Sequence, residues 1–245
     1  MCSSLFQQAG LFVSRTPHIG DWLLTLPISL CSLWLNDEVV FVAVALRLGI
    51  DLGKAHICHC SASVELPGRH SLVCRHAPGR AASHHALNDC ILCTLEAAGI
   101  AASKEPSGLV RSDGKQPDSC SLILWCRGKS LTWDVTAACT VACSYLQASS
   151  REPGAVAELS DTRKEGKYSM LTSSHIFQPL AFEFHSPQNA SAVSFVKELG
   201  HRISQSSGDY RKTHFLFQRL GVIMRRFNAF LFGERFLAAS DYPDM

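Results

Sequence analysis

The chain has 245 residues, 47% of them hydrophobic and 18% charged, with a formal net charge of +2. That is enough chain to bury the core of one large domain or two small ones, and it is too apolar and too weakly charged for a disordered tail or a strongly basic nucleic-acid coat. Any contact with nucleic acid has to come from local patches, because the global field is weak.

The 11 cysteines are odd in number and not spaced like a secreted disulfide framework, so a reducing, intracellular compartment is expected. Residues 1–20 lack a basic segment, a continuous apolar run and a small-residue cleavage site, which predicts an irregular leader and no signal peptide. The apolar stretch 22–35 is interrupted by Pro27 and is too short to span a bilayer, so no membrane partner is expected.

Along the chain, Asn36 and Asp37 are suited to cap a helix running from residue 38 to about 48, with Gly49 as its stop. Residues 51–80 are rich in Cys, His, Gly and Pro and poor in apolar periodicity, which predicts a small loop held by a metal rather than by a core. Helical spacing returns over 84–98, with Leu87, Ile91, Leu92 and Leu95 on one face and Gly99 as the stop. Two strands are predicted at 121–125 and 131–137, joined by the turn Cys126-Arg127-Gly128-Lys129. A helix over 154–170 opens behind Glu152-Pro153, and a strand at 176–184 follows. Helices at 189–204 and 213–232 close the pattern, the second basic through Arg211, Lys212, Arg219, Arg225 and Arg226. This order predicts a mixed α/β domain from about His84 onward.

Two constellations carry chemistry. Cys58, Cys60, His70 and Cys74 form C-x-C-x9-H-x3-C, three thiolates and an imidazole of the kind that complete a tetrahedral structural zinc site. His56, His59 and His76 are nearby substitutes, and Pro67-Gly68 lets the loop fold back. The plainer reading is a scatter of cysteines in a cysteine-rich chain. The second constellation is Lys115-Gln116-Pro117-Asp118 followed by Trp133-Asp134-Val135-Thr136. A hairpin through Arg127 and Gly128 would bring Asp118 close to Asp134, and two converging carboxylates can hold Mg²⁺ for phosphodiester cleavage. Glu105 is a third acid. Thr136 stands where a D-x-K arrangement has lysine, leaving Lys164 or Lys167 on the next helix to supply the charge. Here too plainer roles stay open: Asp118 as a turn residue, Asp134 as a satisfied acid at the core margin, and both lysines facing solvent.

Taken in order, Arg47-Leu48-Gly49, Cys58-x-Cys60, His70-Ser71-Leu72-Val73-Cys74, Gly79-Arg80, His84, Leu87-Asn88-Asp89, Lys115-Gln116-Pro117-Asp118, Trp133-Asp134-Val135-Thr136 and Lys167-Tyr168 resemble the C-terminal end of non-LTR (LINE-class) retrotransposon polyproteins. The resemblance implies an α/β fold, a PD-(D/E)xK nuclease-like mixed sheet flanked by helices and preceded by a small helical segment and a CCHC zinc knuckle. It divides the chain into a leader (1–20), a helical segment (21–56), a zinc-knuckle-like loop (57–80), a restriction-endonuclease-like domain (81–205) and a C-terminal basic helix and tail (206–245). It makes Cys58, Cys60, His70 and Cys74 ligands of structural Zn. Asp118 and Asp134 become acids for catalytic Mg or Mn, with Glu105 beside them and Lys164 and Lys167 as the displaced catalytic lysine.

The implied activity is nicking of DNA, with RNA as a further partner and the nucleus as the place of action. The reverse transcriptase region of such polyproteins is not in this chain and is expected to be lost or on another chain. Relatives have glycine where this chain has Ser61, arginine where it has Ser83, and threonine where it has Phe184. Two other readings remain: a non-catalytic nucleic-acid-binding zinc module, and a decayed transposon fragment without function.

Overall fold

The computed structural model describes residues 18–236 except 53, 54, 59, 66, 67, 69, 75, 78, 140, 141, 143, 144, 153 and 184–189. The leader before residue 18, the tail beyond 236, and the roles expected of His59, Pro67, Pro153 and Phe184 lie outside the described residues.

After two short 3₁₀ turns at Asp21–Leu24 and Ser29–Cys31, helix α1 spans Asp37–Leu48. Its ends are set as the local chemistry demands. The Asn36 side-chain oxygen accepts from the Val39 N–H at 2.9 Å, and Gly49 closes the helix at φ +68°. Strands β1 (His56–Ile57) and β2 (Ser63–Val64) form a minimal antiparallel hairpin, followed by one helical turn, α2 (His70–Val73). Helix α3 (Gly79–Ala97) begins five residues before the predicted start at 84. A Cβ on Gly79 would sit 2.7 Å from the Phe230 ring, so the missing side chain is what lets the start of α3 close on the last helix.

The sheet has four strands in the order β3 (Ala102–Lys104), β4 (Ser119–Cys126), β5 (Lys129–Ala138), β6 (His175–Glu183). The first three form an antiparallel meander. β4 and β5 join at Arg127 and Gly128, both in the left-handed region (φ +51° and +70°), as a two-residue hairpin whose twist matches its strands requires. β6 pairs with β5 in parallel, so the chain must cross over between them, and it does so through α4 (Leu146–Ser149) and α5 (Ala155–Lys167). Helices α6 (Ala190–Ser207) and α7 (Lys212–Phe236) complete the fold. The chain is thus mixed α/β, a four-stranded mixed sheet flanked by helices.

Strand alternation sorts the two faces. Leu131, Trp133 and Val135 of β5, with Leu180 and Phe182 of β6, share one core with Leu87, Ile91 and Leu95 of α3, Phe195, Val196 and Leu199 of α6, and Leu216 and Leu220 of α7. Asp134 and Thr136 point the other way, toward α5. No helix among the described residues is long and apolar enough to cross a membrane.

The Cys/His loop differs from expectation in its support. Cys58, Val64, Leu72, Cys74 and Ala77 are buried members of the main core, so apolar packing against the rest of the chain holds the loop. Helix α7 is likewise more scaffold than basic surface. Arg225 is buried over the Trp22 ring, 5.6 Å from its centroid, and burial lowers its guanidinium to about 10. Arg226 donates to the Trp34 carbonyl at 2.5 Å.

Candidate functional site

The first site is the cluster of Cys58, Cys60, His70 and Cys74, whose ligand atoms all lie within 4.8 Å of one another. Cys58 Sγ and Cys74 Sγ are 3.8 Å apart, and Cys60 Sγ is 3.1 Å from His70 Nε2. Tetrahedral zinc with Zn–S bonds of about 2.3 Å separates its sulfurs by roughly 3.8 Å, so the thiolate edge fits that ion. The hairpin supplies one pair of ligands and α2 with the residue after it the other. His56 and His76 stand outside the cluster. The turn that brings Cys58 and Cys60 together is closed by Ser61 N–H donating to the Cys58 carbonyl at 2.7 Å, with Ser61 itself at φ +64°. A side chain in the left-handed region is strained, so this position suits glycine better than serine.

The second site lies where β4 begins. Ser119 pairs with Trp133, so Asp118, one residue earlier, stands opposite Asp134 on the neighbouring strand. Simple extension from the turn would not produce this. The ladder starts at Cys126↔Lys129, shifts to Leu124↔Ser130 and again to Cys120↔Thr132; unshifted, Asp118 would face Ala137. The Ser121 hydroxyl holds the irregularity, accepting from Leu131 N–H at 2.9 Å and donating to the Ile123 carbonyl at 2.7 Å.

Each acid has fixed partners. Asp118 Oδ2 accepts from Val135 N–H at 2.6 Å and lies 3.0 Å from His84 Nε2. That hydrogen bond raises the His84 pKa above its ordinary value against the opposing effect of burial. Asp134, 3% exposed, carries the Lys164 ammonium on Oδ1, with Lys167 Nζ 3.8 Å from Oδ2. Both lysines come from the last turn of α5, where positive charge also suits the helix dipole. Burial lowers the Lys167 pKa.

Tyr168 completes the wall. Its hydroxyl accepts from Lys167 Nζ at 2.6 Å and donates to the Gln116 carbonyl at 2.7 Å, and burial followed by the charge of Asp134 pushes its own ionisation far up. Behind the site, the Asn88 side chain bonds Ser119 Oγ at 3.1 Å and accepts from Trp133 Nε1 at 2.7 Å, pinning α3 to both acid-bearing strands.

The structure therefore brings Asp118, Asp134, Lys164 and Lys167 into one group. Glu105 is joined to it only through the backbone: its N–H donates to the Asp118 carbonyl at 2.8 Å, while its side chain is exposed. Thr136 lies two residues beyond Asp134 on the same face, its buried hydroxyl without a hydrogen-bond partner among the described residues. His84 and Tyr168 belong to the site without having been assigned a role in it from sequence. Their signals were present, a histidine one turn before Asn88 on a helix and a Lys-Tyr pair at a helix end, but neither identifies its partner across the fold. No family model matches the chain, and a search of curated proteins finds no relative.

Proposed function

We propose that this chain is a metal-dependent endonuclease of the PD-(D/E)xK type, of LINE-class retrotransposon origin, that nicks phosphodiester bonds of DNA. The observation that carries the reading is the opposition of Asp118 and Asp134 across β4 and β5, with an α5 lysine on the buried acid. The element order supports it: a helix, three antiparallel strands, a crossover helix and a fourth strand parallel to the third.

Asp118 and Asp134 would hold Mg²⁺ or Mn²⁺, which supplies Lewis acidity and an activated water for in-line attack at phosphorus. The fit is chemical: two oxygen donors on adjacent strands, one still partly open to solvent. Val135 N–H and His84 aim the Asp118 carboxylate. Lys164, held at the buried Asp134, puts positive charge where negative charge develops on the phosphoryl oxygens, the kind of preorganised stabilisation worth several kcal/mol in transition-state energy, roughly 3 kcal/mol for a single donor. Lys167, fixed by Tyr168, adds a second charge at the same wall. The Cys/His cluster would take structural zinc and hold the hairpin against the core.

The test is nicking of supercoiled plasmid by the zinc-loaded protein with Mg²⁺ or Mn²⁺. Wild type is expected to convert it to open circles and Asp118→Ala/Asp134→Ala is not. Equal behaviour of the two proteins would remove this site from catalysis, and DNA binding without nicking would favour the non-catalytic binding module.

A further inference from the structure

The connection from β3 to β4 is a closed structure rather than slack chain. Its base is fastened by Glu105 N–H to the Asp118 carbonyl at 2.8 Å, and its tip by Arg111 N–H to the Lys115 carbonyl at 2.9 Å and Gly114 N–H to the Arg111 carbonyl at 3.0 Å. Gly114 takes φ +74°, which this tight tip requires. The loop thus holds its side chains in place beside the site it leads into.

At the tip, one carboxylate is gripped by two cations and an amide. Asp113 Oδ1 is 3.2 Å from Arg111 Nε and accepts from Lys115 N–H at 3.3 Å, and Oδ2 is 3.8 Å from Lys115 Nζ. A guanidinium, an ammonium and a backbone N–H converging on an anion are what a phosphate group asks for. Asp113 is exposed, and the contacts that hold its carboxylate are these two cations and the amide.

This grip is wired to the carboxylates. The Arg111 guanidinium lies over the Tyr168 ring, 5.9 Å from its centroid; Tyr168 bonds Lys167, and Lys167 reaches Asp134. A second exposed grip of this kind among the described residues, Arg211 and Lys212 on Asp209, sits at the start of α7, at the junction with α6.

From this we infer that Arg111 and Lys115 form a phosphate clamp for duplex DNA, holding a backbone phosphate beside the one cut, and that Asp113 occupies the clamp in the free protein and yields it on binding. The inference rests on the endonuclease reading for its substrate. Arg111 and Lys115 are positioning residues, since neither touches the reacting carboxylates.

The experiment is fluorescence anisotropy of a labelled duplex with the full zinc-loaded chain, with Ca²⁺ replacing Mg²⁺ to suppress cutting, over a range of salt. The slope of log K against log salt falls by about 0.9 for each phosphate no longer neutralised, so losing the single clamped phosphate in Arg111→Gln/Lys115→Gln should flatten it by about 0.9. Arg211→Gln/Lys212→Gln should leave it unchanged. Asp113→Asn removes the competing anion without removing a cation and should tighten binding severalfold at low salt; a gain of affinity cannot come from misfolding. A wild-type slope in the Arg111/Lys115 variant, or weaker binding by Asp113→Asn, overturns the clamp. Intact nicking alongside a wild-type slope would overturn the clamp alone. The predicted slope change and tighter Asp113→Asn binding in a protein that does not nick would support the clamp and sink the endonuclease.

Discussion

The ammonium of Lys164 lies on the carboxylate of Asp134, joining the last turn of α5 to the middle of β5. Asp134 is almost fully enclosed, whereas about a quarter of Lys164 reaches solvent. Removing the lysine therefore leaves a buried charge whose remaining ion-pair partner among the described residues is Lys167. Lys164→Ala should destabilise the fold by about 2–4 kcal/mol at neutral pH, toward the lower end because Lys167 remains. Asp134→Asn added to it should recover part of that loss, because the orphaned charge is gone. Denaturant melts of the two single variants and the double variant measure the coupling; simple additivity would mean the pair contributes nothing to stability.

Ser61 carries a side chain in a backbone conformation that costs an L-residue about 1–2 kcal/mol. Glycine relieves this but also loosens the unfolded chain, which offsets roughly 0.4–1 kcal/mol. Ser61→Gly should thus stabilise by about 0.5–1 kcal/mol and raise the melting temperature with zinc content unchanged. A lower melting temperature would show that the hydroxyl does something the backbone does not reveal.

Glu183, at the end of β6, is buried, and its Oε1 accepts from Ala157 N–H at 2.8 Å near the start of α5. Burial raises its pKa from 4.5 to about 7. Between those values the folded protein keeps a proton that the unfolded chain has lost, so its contribution is full below pH 4.5 and disappears as pH rises to 7. The uncharged Glu183→Gln still accepts from Ala157. It should match wild type at pH 4.5 and be more stable at pH 8, by up to about 3 kcal/mol from the linked proton. Melts at both pH values decide it; a variant equally stabilised or destabilised at both would exclude linkage through this group.

Zinc removal should be felt well beyond the ligands. Cys58 and Cys74 are buried in the same core as Leu87, Ile91 and Leu216, so losing the metal should loosen α3 and α7 as well as the hairpin. Hydrogen exchange before and after chelation is expected to show lost protection in all three segments together with a lower melting temperature. Loss confined to residues 56–74 would make the cluster a separable module.

Much of the fold was legible because its boundaries have local causes. Asn36 and Gly49 bracket α1, Gly99 stops α3, and Arg127-Gly128 turns β4 into β5. β3 escaped because its three residues, Ala102–Lys104, are too few to show a period. The parallel seating of β6 on β5 escaped because it is a long-range pairing that a crossover makes, and no local pattern announces it. The site divides in the same way. Asp118 and Asp134 could be nominated from a hairpin, yet their opposition depends on shifts around Ser121 that strand periodicity does not encode. Lys164 was one of two candidates on a predicted helix, and only the fold shows which lies on Asp134. The loop at Asp51–Arg80 looked core-poor because its buried residues, Val64, Leu72 and Ala77, follow no regular spacing.

Metal-dependent cleavage at this site requires Asp118 and Asp134 to act together as one divalent-cation site. Titration of the zinc-loaded protein with Mn²⁺, followed by the loss of the free-ion signal in electron paramagnetic resonance, tests this directly. Wild type should bind Mn²⁺ at a site that Asp118→Asn/Asp134→Asn lacks. Identical Mn²⁺ binding by the two proteins would contradict it.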